Sequence, residues 1–288
     1  MMKLTAVIVW YNPSELKEPH SCVDNILSYS EELEKVYIID NSSVNNLCFA
    51  QKIPNSEYIP LMNNYGIAYA LNRGFEKAIN DGYDWIMTMD QDSYWTSVEI
   101  KKYISWAYDI SKQTNIASIA PRPLFETKSL ARMFLDLFFK EKNTSDNDIE
   151  FVNRVICSSN IVSTYAWKKV GGFNEKMFID EVDYEFCYKL RDMQYLIAIN
   201  NTIVFNHTIG SPQKLTLKHN IHNHNDFRLY YIFRNLMYII SKYPKYAEEY
   251  SYKKYLSRLI RKTCIFDLNF LKHREIYQRA KKDYLDLI

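Results

Sequence analysis

Apolar and polar residues come in alternating blocks along the first half of the chain. LTAVIVWYN (Leu4 to Asn12) is a β-branched run that ends in Asn-Pro, which predicts a strand and then a turn. Residues 21–34 predict a helix, and VYIIDNSS a second buried strand, Val36 to Ile39, that closes on polar residues. EYIPL is a candidate third strand. In NNYGIAYALNRGFEKAINDG the residues Ala68, Leu71, Phe75, Ala78 and Ile79 fall at helical spacing, and Asp81-Gly82 stops the run. DWIMTMD predicts a fourth strand, residues 97–112 a further helix, and IASIAPR a strand ahead of Pro121. Residues 125–150 are less regular: LARMFLDLFF reads as apolar and helical, KNTSDNDIE as a loop. From Tyr252 the pattern is helical again. Tyr252, Tyr255, Leu256, Leu259 and Ile260 share one face, with Lys253, Lys254, Arg258, Arg261 and Lys262 around them.

Strands alternating with helices imply a mostly parallel sheet covered by helices on both faces. Ligands of such sheets sit outside the carboxyl ends of the strands. Asn12, Asp40 to Ser43 and Asp90 to Ser93 all fall at such ends. Polar side chains at three strand ends predict a nucleotide-binding crevice.

Composition narrows the setting. The 288 residues include 24 Tyr and 15 Phe but only 6 Gly. The 5 Cys are scattered without a C-x-x-C pair, the pattern of reduced thiols in a cytosolic protein. No apolar run reaches the ~18 residues of a membrane span, and LYYIFRNLMYII is broken by Arg234. No signal peptide is visible behind Lys3. Charge is unevenly spread: residues 1–100 carry 6 Lys and Arg against 14 Asp and Glu, and residues 208–288 carry 16 against 7. A basic tail suits an anionic partner such as a membrane surface or a diphosphate, or is a plain solvated helix. No nucleic-acid-binding motif accompanies it.

The chemistry concentrates in two places. WIMTMDQDSYW ends a buried strand on Asp90 and Asp92, which at i and i+2 of a strand share a face. Neighbouring carboxylates repel and resist desolvation; a hard divalent cation, Mg or Mn, resolves both. An acidic strand-to-loop turn is the plainer alternative. In GGFNEKMFIDEVDYEFCYKLR, Asp180, Glu181, Asp183 and Glu185 crowd four acids into six positions at an expected helix start near Glu181. Helix capping accounts for some of them. Another is free to accept the proton of an attacking hydroxyl. His207 in FNHTIG is a candidate third metal ligand. Ser159 and Asn160 are candidate ligand contacts, or simply a strand end. Arg228 and Arg234 have the fork geometry that suits a diphosphate, or else form internal salt bridges.

The ordered set VIVWYNP, IIDNSS, NNYGIAYALNRGF, DWIMTMDQDS, GGFNEKMFIDEVDYEFCYKLR and HTIG resembles family 2 glycosyltransferases of GT-A fold, in particular the bacterial rhamnosyltransferases of surface-polysaccharide assembly. The resemblance runs from about residue 4 to about residue 210 and implies an α/β, GT-A, Rossmann-like fold over residues 1–215. A basic, aromatic-rich helical extension over residues 216–288 completes the expectation. The resemblance places Tyr11 and Asn12 along the nucleotide, Asp40 on the base with Asn41 beside it, and Asn64, Gly66 and Arg73 in the stretch that closes over it. Asp90 and Gln91 fall near the ribose or the metal, and Asp92 on the metal. Asp180 and Glu181, with Asp183 next to them, match the acidic pair that supplies the base, Asp180 being preferred. The resemblance further implies dTDP-rhamnose as the favoured donor and a saccharide acceptor, lipid-linked, at the inner face of the plasma membrane. The basic side chains of helix 252–262 suit peripheral membrane contact there, while covering the catalytic domain with its apolar face is the plainer use of that helix. Two rival readings stay open. A sugar nucleotidyltransferase needs a Gly-rich first loop, and YNPSELKEP has no glycine. A non-catalytic nucleotide- or glycan-binding module would bind without turnover.

Overall fold

The computed structural model describes residues 2–13, 20–125, 148–207 and 225–288. Strands β1 (Leu4–Trp10), β2 (Val36–Asp40), β3 (Ser56–Pro60) and β4 (Trp85–Asp90) follow the predicted runs. So do helices α1 (Cys22–Ser30), α3 (Ile67–Asn80) and α4 (Ser97–Ile110), with a short α2 (Leu47–Ala50) between β2 and β3. Then come β5 (Ile116–Phe125), β6 (Ile149–Val152), β7 (Asn160–Ser163), α5 (Thr164–Val170), α6 (Val182–Asp192) and β8 (Leu196–His207). The C-terminal part is helical: α7 (Asp226–Lys242), α8 (Pro244–Glu249), α9 (Tyr252–Cys264) and α10 (Phe270–Asp283).

All eight strands form one sheet in the order β3-β2-β1-β4-β7-β5-β8-β6. The half β3-β2-β1-β4 is wholly parallel, as expected. The other half is mixed: β7 runs antiparallel to both β4 and β5, and β6 antiparallel to β8. Strand β5 does not stop at Pro121. It pairs with β8 as far as Phe125 and absorbs the proline at a register shift between Pro121 and Arg122. A missing N–H is tolerated at such a break in the ladder.

Two cores cover the two faces. Along β1, Val7 packs on one side with Tyr37, Ile39 and Phe75, while Ala6, Ile8 and Trp10 pack on the other with Ile26, Trp95 and Tyr103. That parity is the two-residue period of a strand. Full burial of a side chain such as Ile8 contributes about 1.5–3 kcal/mol. Gly74 lets α3 approach the sheet closely, since a Cβ there would lie 2.3 Å from Val7 Cγ1.

The expected division at 215/216 lies outside the described residues. The helices beyond it share the core of the sheet: Ile232, Leu236, Tyr238, Tyr243 and Tyr252 cluster with Val7 and Phe75. The apolar face of α9 is likewise in use. Leu256, Leu259 and Ile260 pack against Leu229, Phe233 and Ile276 of the neighbouring helices, which leaves Tyr255 47% exposed. The helical reading of LARMFLDLFF concerns residues outside those described.

Candidate active site

The ends of β1, β2 and β4 are tied to one another by polar side chains. Asn12 takes a left-handed backbone, φ 47°, which Asn tolerates. Its N–H donates to Ser42 Oγ (2.7 Å), and the Tyr11 N–H donates to Gln91 Oε1 (2.8 Å). Gln91 thus bridges the ends of β4 and β1. The Tyr11 ring and Asn12 are exposed at the rim.

Asp40 turns inward. Its Oδ1 accepts from the Ser42 N–H (3.1 Å), and its Oδ2 from Tyr58 Oη (2.6 Å) and Asn46 Nδ2 (2.8 Å). With 1% exposure, the carboxylate expected to meet a base holds its own loop instead. Asn41 is also buried. It donates to Asn64 Oδ1 (2.9 Å) and accepts from the Tyr65 N–H (2.8 Å), while Asn64 Oδ1 also accepts from the Gly66 N–H (3.0 Å). Ser42 lies in the IIDNSS run, but Tyr58 and Asn46 carry no motif.

Gly66 stands at the N-terminus of α3 with φ 89°. A Cβ there would lie 2.7 Å from the Phe178 carbonyl oxygen, and the next residue, Ile67, donates its N–H to that same oxygen (2.7 Å). The loop leading into α6 therefore leans on the start of α3. Arg73, two turns along α3, pairs with Glu76 (2.7 Å) and Glu175 (3.4 Å) and lies over the Tyr69 ring.

Asp90 is the last residue of β4 and half-buried. Asp92 does not share its strand face. Pairing with β1 ends at Asp90, and a turn closed by the Ser93 N–H on the Asp90 carbonyl (3.1 Å) carries Asp92 outward into solvent. Burial, then the charges of Asp92 and Asp183, push the Asp90 carboxyl up to about 7. No three His, Cys, Asp or Glu side chains among the described residues converge as a ready metal cage. Asp90 and Asp92 nevertheless offer what a hard cation needs: two oxygen donors whose charges destabilise each other until neutralised. His207 ends β8, and its side chain lies outside the described set.

The opposite wall is the start of α6. Glu181 is its N-cap residue at φ 62°, but its side chain makes no cap hydrogen bond. Instead Oε2 accepts from Tyr252 Oη (2.7 Å). Burial pushes Glu181 up to about 7, opposed by that hydrogen bond. Asp183 accepts from the N–H groups of Tyr184 (2.9 Å) and Cys157 (3.2 Å), and burial pushes it up to about 6 against those donors. Asp180 is gripped by Arg228, with Nη2 2.8 Å and Nε 3.1 Å from its oxygens. Glu185 is not part of the crevice. It is 1% exposed and accepts from Tyr243 Oη (2.9 Å), so its place is in the packing of α6 against α7.

Phe178, Asp180 and Glu181 all have φ between 62° and 64°. Each such non-glycine residue costs about 1–2 kcal/mol. Asn235 on α7 offsets part of this, for its Nδ2 lies 3.0, 2.7 and 2.8 Å from the carbonyls of Met177, Ile179 and Asp180. Arg234, read as a diphosphate contact, is 9% exposed. Its Nη2 donates to the carbonyls of Lys176 (2.6 Å) and Met177 (3.0 Å), so it positions this loop. Ser159 and Asn160 are buried as well. Ser159 Oγ accepts from Trp95 Nε1 (3.0 Å), and Asn160 Oδ1 accepts from Ser118 Oγ (2.7 Å), which knits β7 into the sheet.

Behind Glu181 sits a group centred on Arg154, which stands in no motif. Arg154 Nη1 donates to Tyr252 Oη (2.8 Å), and the Tyr188 hydroxyl lies 3.0 Å from the same atom. The Arg154 guanidinium stacks on Tyr250 (3.7 Å) and Tyr184 (4.4 Å). Tyr184 and Tyr188 lie in the acidic motif and Tyr252 on a predicted helix face, but no local spacing joins them to Arg154.

The chain is similar to proteins that handle activated sugars. The dTDP-rhamnosyl transferase RfbF of Shigella flexneri is 29% identical over 247 residues, 82% of this chain and 79% of that protein. Among solved structures, GalNAc-T7 with UDP, GalNAc and Mn2+ superposes with a TM-score of 0.60 at 12% identity. The match takes in 99% of this chain, which spans 56% of that one. S. aureus TarS 1-349 in complex with UDP-GlcNAc gives 0.56 at 14% identity, over all of this chain and 82% of that one. At these identities the structures attest the shared GT-A fold alone. The family model described as Glycosyl transferase family 2 matches residues 5–159, more than half the chain, and the protein belongs to that family.

Proposed function

We propose that the chain is an inverting glycosyltransferase that moves L-rhamnose from dTDP-rhamnose to a saccharide hydroxyl. The observation that carries this reading is the meeting of two acidic walls. Asp90 at the end of β4 lies close enough to Asp183 at the start of α6 for their charges to act on each other, and Asp183 acts in turn on Glu181. The similarity to a dTDP-rhamnosyl transferase supports the choice of donor.

In this reading the acceptor oxygen attacks the anomeric carbon while the bond from that carbon to the diphosphate oxygen breaks. The nucleoside diphosphate leaves with the bonding pair, and the acceptor proton passes to a carboxylate. We assign that carboxylate to Glu181 rather than Asp180. Both oxygens of Asp180 are held by Arg228, whereas Glu181 has one oxygen on Tyr252 and titrates near the working range of a general base. Tyr11, Asn12 and Gln91 line the donor side, and Asn41, Asn64 and Gly66 fix the loop above it. A divalent cation, Mg or Mn, held by Asp92 and Asp90 would supply charge neutralisation to the leaving diphosphate. Residues 225–288 belong to the same catalytic unit, because they bring Tyr252 and Asn235 to it. The acceptor is read as lipid-linked, which calls for work at a membrane surface. No helix among the described residues is long and apolar enough to cross one.

Thermal-shift measurements with dTDP, UDP and GDP, with and without Mn2+, test this reading. The expected result is stabilisation by dTDP that Mn2+ strengthens and that Asp92→Asn removes. Mn2+-dependent stabilisation that survives Asp92→Asn would refute the metal assignment, and no response to any nucleotide would refute the function.

A further inference from the structure

Helices α9 and α10 pack together and are joined by residues 265–269. This turn is firmly built. The Phe266 N–H donates to the Arg261 carbonyl (3.3 Å), Arg274 Nε to the Cys264 carbonyl (2.7 Å), and the Phe270 N–H to the Asp267 carbonyl (3.2 Å). Yet its apolar side chains face outward: Ile265 is 50% exposed, Phe266 79%, Leu268 99% and Leu271 64%. A single exposed leucine is ordinary, but four large apolar side chains on one short tip are not.

The charges around the tip are predominantly basic: residues 258–275 hold 5 Lys and Arg against Asp267 and Glu275. Asp267 is turned in, accepting from the Asn269 N–H (2.7 Å) and facing His273 Nδ1 (3.6 Å). Asp226 is paired with Lys272. Arg258 and Arg261 are exposed on the last turns of α9. An apolar point with a basic collar matches an anionic lipid surface, where side chains enter the acyl boundary and cations stay among the headgroups. A second copy of the chain is the poorer occupant, because a two-fold contact at the tip would set one cationic collar against another.

We propose that the α9–α10 tip, led by Phe266 and Leu268, docks the protein on anionic phospholipid bilayers. This surface differs from the apolar face of α9, which packs on the neighbouring helices. The proposal deepens the reading of a lipid-linked acceptor, but it is measured without donor, acceptor or turnover. Co-sedimentation of the full chain with phosphatidylglycerol-rich vesicles and with phosphatidylcholine vesicles tests it. Binding is expected on the former only. The double substitution Phe266→Ser with Leu268→Ser should weaken it about tenfold or more, the effect of withdrawing large apolar side chains from lipid. Arg258→Ser with Arg261→Ser should weaken it too and reduce its salt dependence. Thermal melting and dTDP stabilisation should be unchanged in both, so a failed nucleotide response and a failed vesicle response are separate results. As a second readout, Leu268→Trp should give a blue-shifted emission on phosphatidylglycerol vesicles. Equal pelleting of wild type and the Phe266/Leu268 variant, an unshifted Trp spectrum, or a self-association that this variant abolishes without vesicle binding would each overturn the proposal.

Discussion

The Tyr252 hydroxyl donates to Glu181 Oε2 at 2.7 Å, joining residues 71 positions apart in the chain. The tyrosine is buried at the start of α9, and burial and the charge of Glu181 push its phenol far above the ordinary range, so it stays a donor. A helix outside the region covered by the family resemblance thereby sets the orientation and proton affinity of the proposed base.

Tyr252→Phe removes one donor from a carboxylate, an interaction of about 1.5–3 kcal/mol. The hydrogen bond lowers the pKa of Glu181, so its loss raises it. The acidic limb of the pH–rate profile, expected near pH 7, should move up by about one unit, with a fall in kcat and little change in donor affinity. A purely structural tyrosine would lower activity without moving the limb.

Protein stability should carry the same signature. Glu181 and Asp183 are raised to about 7 and about 6. Carboxyls whose folded pKa exceeds the unfolded value bind protons more tightly when folded. Their stabilising contribution is complete below about pH 4 and is lost as the pH rises through about 6 to 7. The melting temperature of the metal-free protein, followed between about pH 5 and about pH 8, should therefore contain a downward component that Glu181→Gln reduces. An identical slope in the variant would contradict the assignment.

Gly66 is where the start of α3 touches the loop that carries Glu181. Gly66→Ala places a methyl group against the Phe178 backbone at a φ of 89°. It should cost about 1–3 kcal/mol by denaturant unfolding, and weaken dTDP binding because the loop carrying Glu181 shifts with Phe178. Unchanged stability would mean that the close contact with Phe178 is relieved at no cost.

How far the sequence foretold this depends on the range of the forces involved. β1, β2, β4 and α3 were legible because their apolar periods record burial locally. Asp90 and the helix start at Glu181 were legible because polar residues interrupt those periods. Pro121 misled because its tolerance depends on a register shift against β8, a strand distant in sequence. The resemblance puts Asp40 on the base, and Asn160 and Arg234 read as ligand contacts, yet their partners (Tyr58, Ser118 and the Met177 carbonyl) lie on other elements. The Arg154–Tyr252–Glu181 chain was invisible for the same reason. It exists only once α9 is packed beside α6, and no local spacing encodes that packing.

The central claim concerns the carboxylate that takes the acceptor proton. Its most direct test is release of dTDP from dTDP-rhamnose in the presence of Mn2+ and a saccharide acceptor, compared among wild type, Glu181→Gln and Asp180→Asn. Wild type should turn over, Glu181→Gln should bind donor normally but be slower by about 10²–10⁴-fold, and Asp180→Asn should retain more activity than Glu181→Gln. Wild-type turnover by Glu181→Gln, with Asp180→Asn inert, would contradict this account and move the base to Asp180.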